Sequence, residues 1–424
     1  MTWTRVSPWD GTPTWTGAED DPITALDGVV GIASVAERRQ SLERFATVLT
    51  AHRAEAVELL IREAGKVRAD AEAEADLLPA KIAVTLAAGW QRFPPEVRGG
   101  VLWRPRGPAA VLGPYNFPLH LLHGLVVPAL AMGNPVIAKP SERTPALGAW
   151  YRERIHEAGL AAHVAVVLGG AAVADALIRD PRVATVAAVG GRPMGMALTA
   201  ALAHRPEVVL ALELGGIGHA LLCDDADLAA AIPVLAEGAW RMAGQRCNAT
   251  RIVHVPRERY SAVMEGLAVE RRQWLPTTPE GRAGPMIDAL SRDRFQAGVA
   301  PLATAVRCGL AGIEPLLAPV SAMVPTLQRE YFGPLLAVIP YDDESQAVAV
   351  MAANPARLSA TVWTRDAQRF AALAKRLPYG LVGHNRSTSG ARADLPFGGC
   401  GQAGNGHPAG IAAVGIFADE TVVW

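Results

Sequence analysis

Five short apolar runs, at 109–112, 136–139, 164–168, 183–189 and 208–213, are separated by stretches long enough for a helix. No other feature limits the fold as tightly. Continuous apolar runs of this length read as strands buried on both faces, and the intervals between them read as crossover helices. The pattern predicts a parallel, doubly wound α/β sheet. A second series, at 220–223, 251–255, 335–339, 361–364 and 381–382, predicts a second α/β layer, hence two domains with a cleft between them. Helical spacing precedes both series. Ser34 and Glu37 fit a capping box for a first helix, a second runs from about 54 to a stop at Gly65, and a third covers roughly 68–90. Residues 1–30 show no clear periodicity. The apolar, β-prone stretch 414–424 predicts a terminal strand.

Composition removes several function classes. Forty Lys+Arg against 41 Asp+Glu leave a net charge of −1, which gives no field for nucleic acid. Four cysteines without a C-x-x-C pair exclude a disulfide scaffold and predict no metal site. The run 107–138 lacks Asp, Glu, Lys and Arg, but Pro108, Pro114, Pro118, Pro128 and Pro135 interrupt it. It predicts a buried strand, a tight loop and a buried helix rather than a membrane span. No apolar signal segment is visible at the start, so the expected compartment is the cytoplasm.

Six motifs then occur in order: Gly113-Pro-Tyr-Asn-Phe-Pro118, Lys139-Pro-Ser-Glu142, Glu213-Leu-Gly-Gly216, Gly244-Gln-Arg-Cys247, Glu330-Tyr-Phe-Gly-Pro334 and Pro396-Phe-Gly-Gly399. The set resembles the aldehyde dehydrogenase superfamily over roughly residues 35–410. The resemblance implies a Rossmann-type NAD domain at 1–97 and 107–212. It also implies an α/β catalytic domain at 213–398 and a small oligomerisation β-element from 98–106 and 410–424. The implied assembly is a homodimer or homotetramer.

The chemistry fits the residue types. Cys247 is the nucleophile candidate, because a thiolate adds to an aldehyde carbon and the adduct can release hydride. Glu213 ends an apolar strand, where partial desolvation raises a carboxyl toward neutrality and suits it to activate water. Asn116 on its own reads as a turn residue; the resemblance makes its amide a stabiliser of the developing oxyanion. Cys223, Cys308 and Cys400 read as packing residues.

The cofactor residues come from the resemblance. Lys139 and Glu142 would hold the adenosine ribose, and a carboxylate at Glu142 favours NAD, with NADP the alternative. Gly190, Gly191 and Gly195 would bring the pyrophosphate to a helix N-terminus. Gly191 stands where the family usually carries a hydroxyl. Glu330 and Phe332 would hold the nicotinamide ribose and ring. The early hairpins of the family look barely represented.

Several stretches, among them Gly244-Gln-Arg-Cys-Asn-Ala249 and Pro396-Phe-Gly-Gly-Cys-Gly-Gln-Ala-Gly-Asn405, are similar to the succinylglutamate-semialdehyde dehydrogenase branch, which acts in arginine catabolism. This implies an acidic semialdehyde substrate, with Arg386 and Arg246 as candidate cations for its carboxylates. The rival readings are a dehydrogenase of other substrate range, an acylating or phosphate-linked reductase, and a non-catalytic scaffold.

Overall fold

The uncharged run folds as its sequence predicts. In the computed structural model, which describes residues 2–424, it forms strand β1 (Ala109–Leu112), a loop, the helix His120–Ala131 and strand β2 (Val136–Lys139). Every residue of β1 and β2 is buried, as expected of strands covered on both faces. Strands β3 (Val164–Val166), β4 (Thr185–Gly190) and β5 (Val209–Leu214) complete a parallel sheet of order β3-β2-β1-β4-β5. The order reverses between β1 and β4. In an open α/β sheet that reversal leaves a crevice at the strands' carboxyl ends.

A second parallel sheet follows: β6 (Gly218–Leu222), β7 (Thr250–Pro256), β8 (Leu316–Pro319), β9 (Leu335–Tyr341), β10 (Ser359–Trp363) and β11 (Leu381–His384), ordered β8-β9-β7-β6-β10-β11. Sequence reading omits edge strand β8. Its two leucines, one alanine and one proline carry no β-branched signal, and its pairing partner β9 makes it a strand.

The N-terminus corrects the expectation of barely represented early hairpins. Thr2–Val6 and Pro13–Ala18 form an antiparallel hairpin, with Gly11 at φ 78° in its connection and the Trp3 ring tilted against Trp15 at 4.4 Å. A family-like early hairpin is therefore present. Threonine and tryptophan alternate at period two, but no residue of either strand is fully buried, so no apolar run marks them.

Helix boundaries follow capping chemistry. Ser34 Oγ accepts the Glu37 backbone N–H ahead of Val35–Ala51, and Arg53–Ala64 stops at Gly65 with φ 68°. The third helix, Arg68–Val84, ends in a π turn over Thr85–Gly89. Two buried carboxylates cap helices from a distance. Glu63 accepts the Ala146 and Leu147 N–H groups at 2.9 and 2.8 Å, and Glu74 accepts those of Leu119 and His120 at 3.0 and 2.9 Å. Val101–Pro105 pairs with Ala418–Val422 as a separate two-stranded ribbon, so the predicted terminal strand begins after a short helical turn at Ala413–Ile416. Among the described residues no helix is long and apolar enough to cross a membrane.

Candidate active site

Two connections meet at the junction of the sheets. One is the Gly215–Gly216 turn leaving β5, and the other is the loop between the helix Leu228–Trp240 and β7. The Gly216 N–H donates to the Cys247 carbonyl at 3.1 Å, tying the turn after Glu213 to the loop that carries the thiol. A Cβ at Gly216 would stand 3.0 Å from that carbonyl oxygen and 2.6 Å from Leu358 Cβ, so the close approach requires glycine.

The Cys247 loop is wound left-handed. Met242, Ala243 and Gly244 have φ of 57°, 51° and 64° in succession. Each non-glycine residue there costs about 1–2 kcal/mol, so surrounding bonds must hold the shape. Arg251, buried on β7, donates to the Gly244 and Gly333 carbonyls at 2.5 Å each. Gln245 binds the Met242 carbonyl at 3.2 Å and accepts the Ile287 N–H at 3.0 Å. The Asn248 carbonyl accepts Thr388 Oγ1 at 2.8 Å and Ser389 Oγ at 3.3 Å. The nucleophile candidate thus sits on a loop fastened on both sides.

Asn116 reaches the same loop. Its Nδ2 donates to the Gln245 carbonyl at 3.0 Å, two residues before Cys247, and one N–H of the amide remains for an oxygen beside the thiol. Glu213 is buried, and its Oε1 has no hydrogen-bond partner. Burial pushes its carboxyl up to about 8, opposed by the Gly399 backbone. Burial pushes the Cys247 thiol up as well, reinforced by the Glu213 and Glu330 carboxylates and opposed by Arg246. Burial thus disfavours the charged form of both groups.

The C-terminal segment fixes Glu213 from behind. Asn405 accepts the Leu212 N–H at 2.7 Å and donates to the Leu210 carbonyl at 3.0 Å, and the Leu214 N–H bonds the Ala403 carbonyl at 2.9 Å. Gly404, at φ 139°, passes so close that a Cβ would lie 2.2 Å from the Leu212 oxygen. Sequence reading quotes these residues only as part of a motif. Their partners lie some 190 residues upstream, beyond any local signal. Arg251 is missed for the same reason.

Lys139, Glu142, Gly190 and Gly191 gather at the crevice where the first sheet's order reverses. Lys139 Nζ is buried, donates to the Pro140 carbonyl at 3.2 Å and lies 3.7 Å from the half-exposed Glu142 carboxylate. Gly191 is the N-cap of the helix Arg192–Ala201; Pro193 has no N–H and the Met194 and Gly195 N–H groups bind the Gly191 carbonyl at 3.0 and 3.2 Å, so the Arg192 N–H is the first-turn donor left for an anion. Gly190 lies under Met194, and Gly195 packs the helix on Leu214; a Cβ at either would meet those side chains at 2.5 and 2.7 Å. Glu330 lies against Gly215, where a Cβ would be 1.7 Å from Oε2, and its Oε1 is buried without a partner. Burial lifts its carboxyl to about 7, with Arg251 opposing. Phe332, at φ 31°, meets Tyr115 edge-on at 6.0 Å. The open Arg192 N–H, the buried Lys139 ammonium and the partnerless Glu330 oxygen suit a dinucleotide's pyrophosphate and ribose hydroxyls.

The two candidate cations differ. Arg246 is partly buried beside Cys247, its Nε has no partner, and burial and Arg241 hold its guanidinium below the ordinary range. Arg386 is exposed, with its chain folded back over Gly383 and its carbonyl bound by Thr361 Oγ1 at 2.7 Å. No carboxylate lies within ion-pair reach of either among the described residues.

Residues 30–423 match the aldehyde dehydrogenase family. The chain is 36% identical over 401 residues to N-succinylglutamate 5-semialdehyde dehydrogenase 1 of Caulobacter vibrioides, covering 89% of this chain and 85% of that one. Its fold matches γ-glutamyl-γ-aminobutyraldehyde dehydrogenase of Burkholderia cenocepacia with TM-score 0.91 at 26% identity, over 99% of this chain and 92% of that one. It also matches bifunctional proline utilization A with TM-score 0.88 at 28% identity, covering 96% of this chain and 45% of that longer one.

Proposed function

The chain belongs to the aldehyde dehydrogenase family, and from that premise we propose that it oxidises an acidic semialdehyde to the carboxylate with Cys247 as nucleophile, Glu213 as base and NAD as preferred cofactor. Family membership makes it an aldehyde-oxidising oxidoreductase that uses NAD(P). The observation that carries the site reading is the Gly216 N–H bond to the Cys247 carbonyl, because it sets base and nucleophile on two ends of one rigid connection.

Cys247 loses its proton to solvent and attacks the aldehyde carbon as the thiolate, and the free N–H of Asn116 stabilises the oxygen that becomes negative. Bound NAD(P) supplies the hydride acceptor, which leaves an acyl group on Cys247 as a thioester. Glu213 then takes a proton from water, and the hydroxide so formed displaces the thiolate and releases the acid. Lys139, Glu142, Glu330 and the N-terminus of the helix Arg192–Ala201 hold the cofactor. The Glu142 carboxylate favours NAD, since it would repel a 2′-phosphate.

The substrate class rests on relatives named for N-succinylglutamate 5-semialdehyde, an intermediate of arginine catabolism, and on the cation without a carboxylate partner, Arg246, beside the nucleophile. Arg386 is the second cation of this reading. The ribbon of Val101–Pro105 with Ala418–Val422 ends in exposed Val422, Val423 and Trp424, and it is the proposed oligomerisation element of a homodimer or homotetramer.

A panel of neutral and carboxylate-bearing aldehydes, run with NAD and with NADP while following cofactor reduction, tests this. Acidic semialdehydes should give the highest kcat/KM with NAD and need neither coenzyme A nor phosphate. Higher kcat/KM for neutral aldehydes would end the acidic-substrate reading, and equal use of NADP would end the Glu142 argument.

A further inference from the structure

The buried cation Lys81 has no role in the chemistry above and no counter-charge. It lies on the helix Arg68–Val84 with 4% of its surface exposed, and its Nζ donates only to the Gly410 carbonyl, at 2.9 Å. Among the described residues no carboxylate lies within ion-pair distance of it. Its neighbour Lys66 differs, since Glu74 pairs with that ammonium at 2.9 Å. A buried ammonium without a partner is costly to keep, and burial lowers Lys81 to about 8, which still leaves most of it charged at neutral pH. His120 heads the helix packed on the Lys81 helix: its backbone N–H is held at 2.9 Å by Glu74, two turns before Lys81, and its Nδ1 is buried without a hydrogen-bond partner. A cation without a counter-charge and an imidazole nitrogen without a partner thus lie at one helix–helix junction.

Two chains of contact run from that junction toward the nucleophile. Gly410 follows Ala409, which packs on the cluster of Leu358, Phe397 and Ala403 that Cys247 also touches. His120 follows Asn116 by four residues, and the Phe117 ring between them meets the imidazole edge-on at 6.4 Å. We propose that Lys81 and His120 form a carboxylate-binding subsite that holds the end of the substrate remote from its aldehyde. The inference deepens the acidic-semialdehyde reading and rests on it. One ammonium and one imidazole N–H match the two oxygens of a carboxylate. The Gly410 carbonyl orients Lys81 without neutralising it.

The test uses the full chain and Lys81→Gln, which keeps a donor for the Gly410 carbonyl and removes the charge. Succinate, a dicarboxylate without an aldehyde, serves as a competitive probe. In Lys81→Gln its inhibition constant should rise tenfold or more. The ratio of kcat/KM between a carboxylate-bearing aldehyde and a neutral one of equal length should fall by at least the same factor. Lys81→Arg should restore most of that ratio. If Lys81→Gln does not fold, His120→Gln carries the same two measurements, with a fall in the ratio of threefold or more expected. An unchanged inhibition constant and ratio in a folded variant would overturn the subsite while leaving the acidic-substrate reading standing. A wild type that neither prefers acidic aldehydes nor is inhibited by succinate would overturn both.

Discussion

Glu213 and Cys247 show how one environment sets two roles. Both lose water, so burial disfavours the charged form of each, and a carboxylate charge nearby makes the thiolate harder still to form. A base with its carboxyl at about 8 accepts a proton only through its ionised fraction. Hydrolysis of the thioester should therefore speed up with rising pH and level off above about 8. Glu213→Gln should give a burst of NADH of about one per active site, then stall, with the pH dependence of the slow phase lost. Cys247→Ser should give no burst, and turnover should fall by about a thousandfold or more, roughly 4 kcal/mol in barrier. Stopped-flow absorbance of the reduced cofactor checks both. A missing burst in a folded Glu213→Gln would place Glu213 before hydride transfer.

At the scale of elements, the loop from Arg241 to Cys247 holds a left-handed turn that its own residues disfavour, and Arg251 supplies two of the bonds that offset the cost. A planar fork reaches two carbonyls at once, and an ammonium does not. Arg251→Lys should thus behave like Arg251→Met: kcat down tenfold or more, and stability lower by about 2–4 kcal/mol from carbonyls left without donors. Thermal melting and steady-state rates decide, and a Lys variant with wild-type values in both would remove this role. Arg251 also marks where sequence reading stops. Strands β1 and β2 are legible to the residue, because each opens on a run of buried apolar residues, four in β1 and three before Lys139 in β2, between turn-forming prolines and glycines. The N-terminal hairpin and β8 are not, since one lacks an apolar face and the other depends on its neighbour. In the site, Cys247, Glu213 and Asn116 are legible as motifs that the fold brings onto one loop and turn. Arg251, Gly404 and Asn405 act through backbone groups of distant segments, a relation no local pattern encodes. Lys81 is hidden in the same way, as an unremarkable lysine on a helix until its surroundings show no counter-charge.

Across the whole molecule, the buried ionisable groups set how stability depends on pH. Glu63, Glu213 and Glu330 are lifted to about 7, 8 and 7 from an ordinary 4.5. Above 4.5 the unfolded chain has released protons that the native one retains, so each carboxyl costs stability as pH rises until its folded value is passed. The buried histidines work in the opposite sense. His120, His123 and His254 are held down to about 4, 3 and 4, and His219 is held well below 6.5. The native chain then binds fewer protons than the unfolded one up to 6.5, and their contribution grows with pH and is complete above that value. Below 6.5 the two sets oppose each other; between 6.5 and 8 the carboxyls lead, joined in the same sense by His52, which Glu157 and Glu55 hold above 6.5, and opposed toward 8 by Lys81. Stability should therefore fall across that window, with Glu213 alone contributing up to about 2 kcal/mol. Melting temperatures at fixed scan rate should be lower at pH 8 than at pH 6.5. Glu213→Gln should narrow the difference by removing the group with the highest folded value, and Glu63→Gln should narrow it less. If wild type melts at the same temperature at both values, or if Glu213→Gln keeps the full difference, Glu213 does not carry its raised carboxyl in the folded state. The pH dependence expected of its base role would then fail with it.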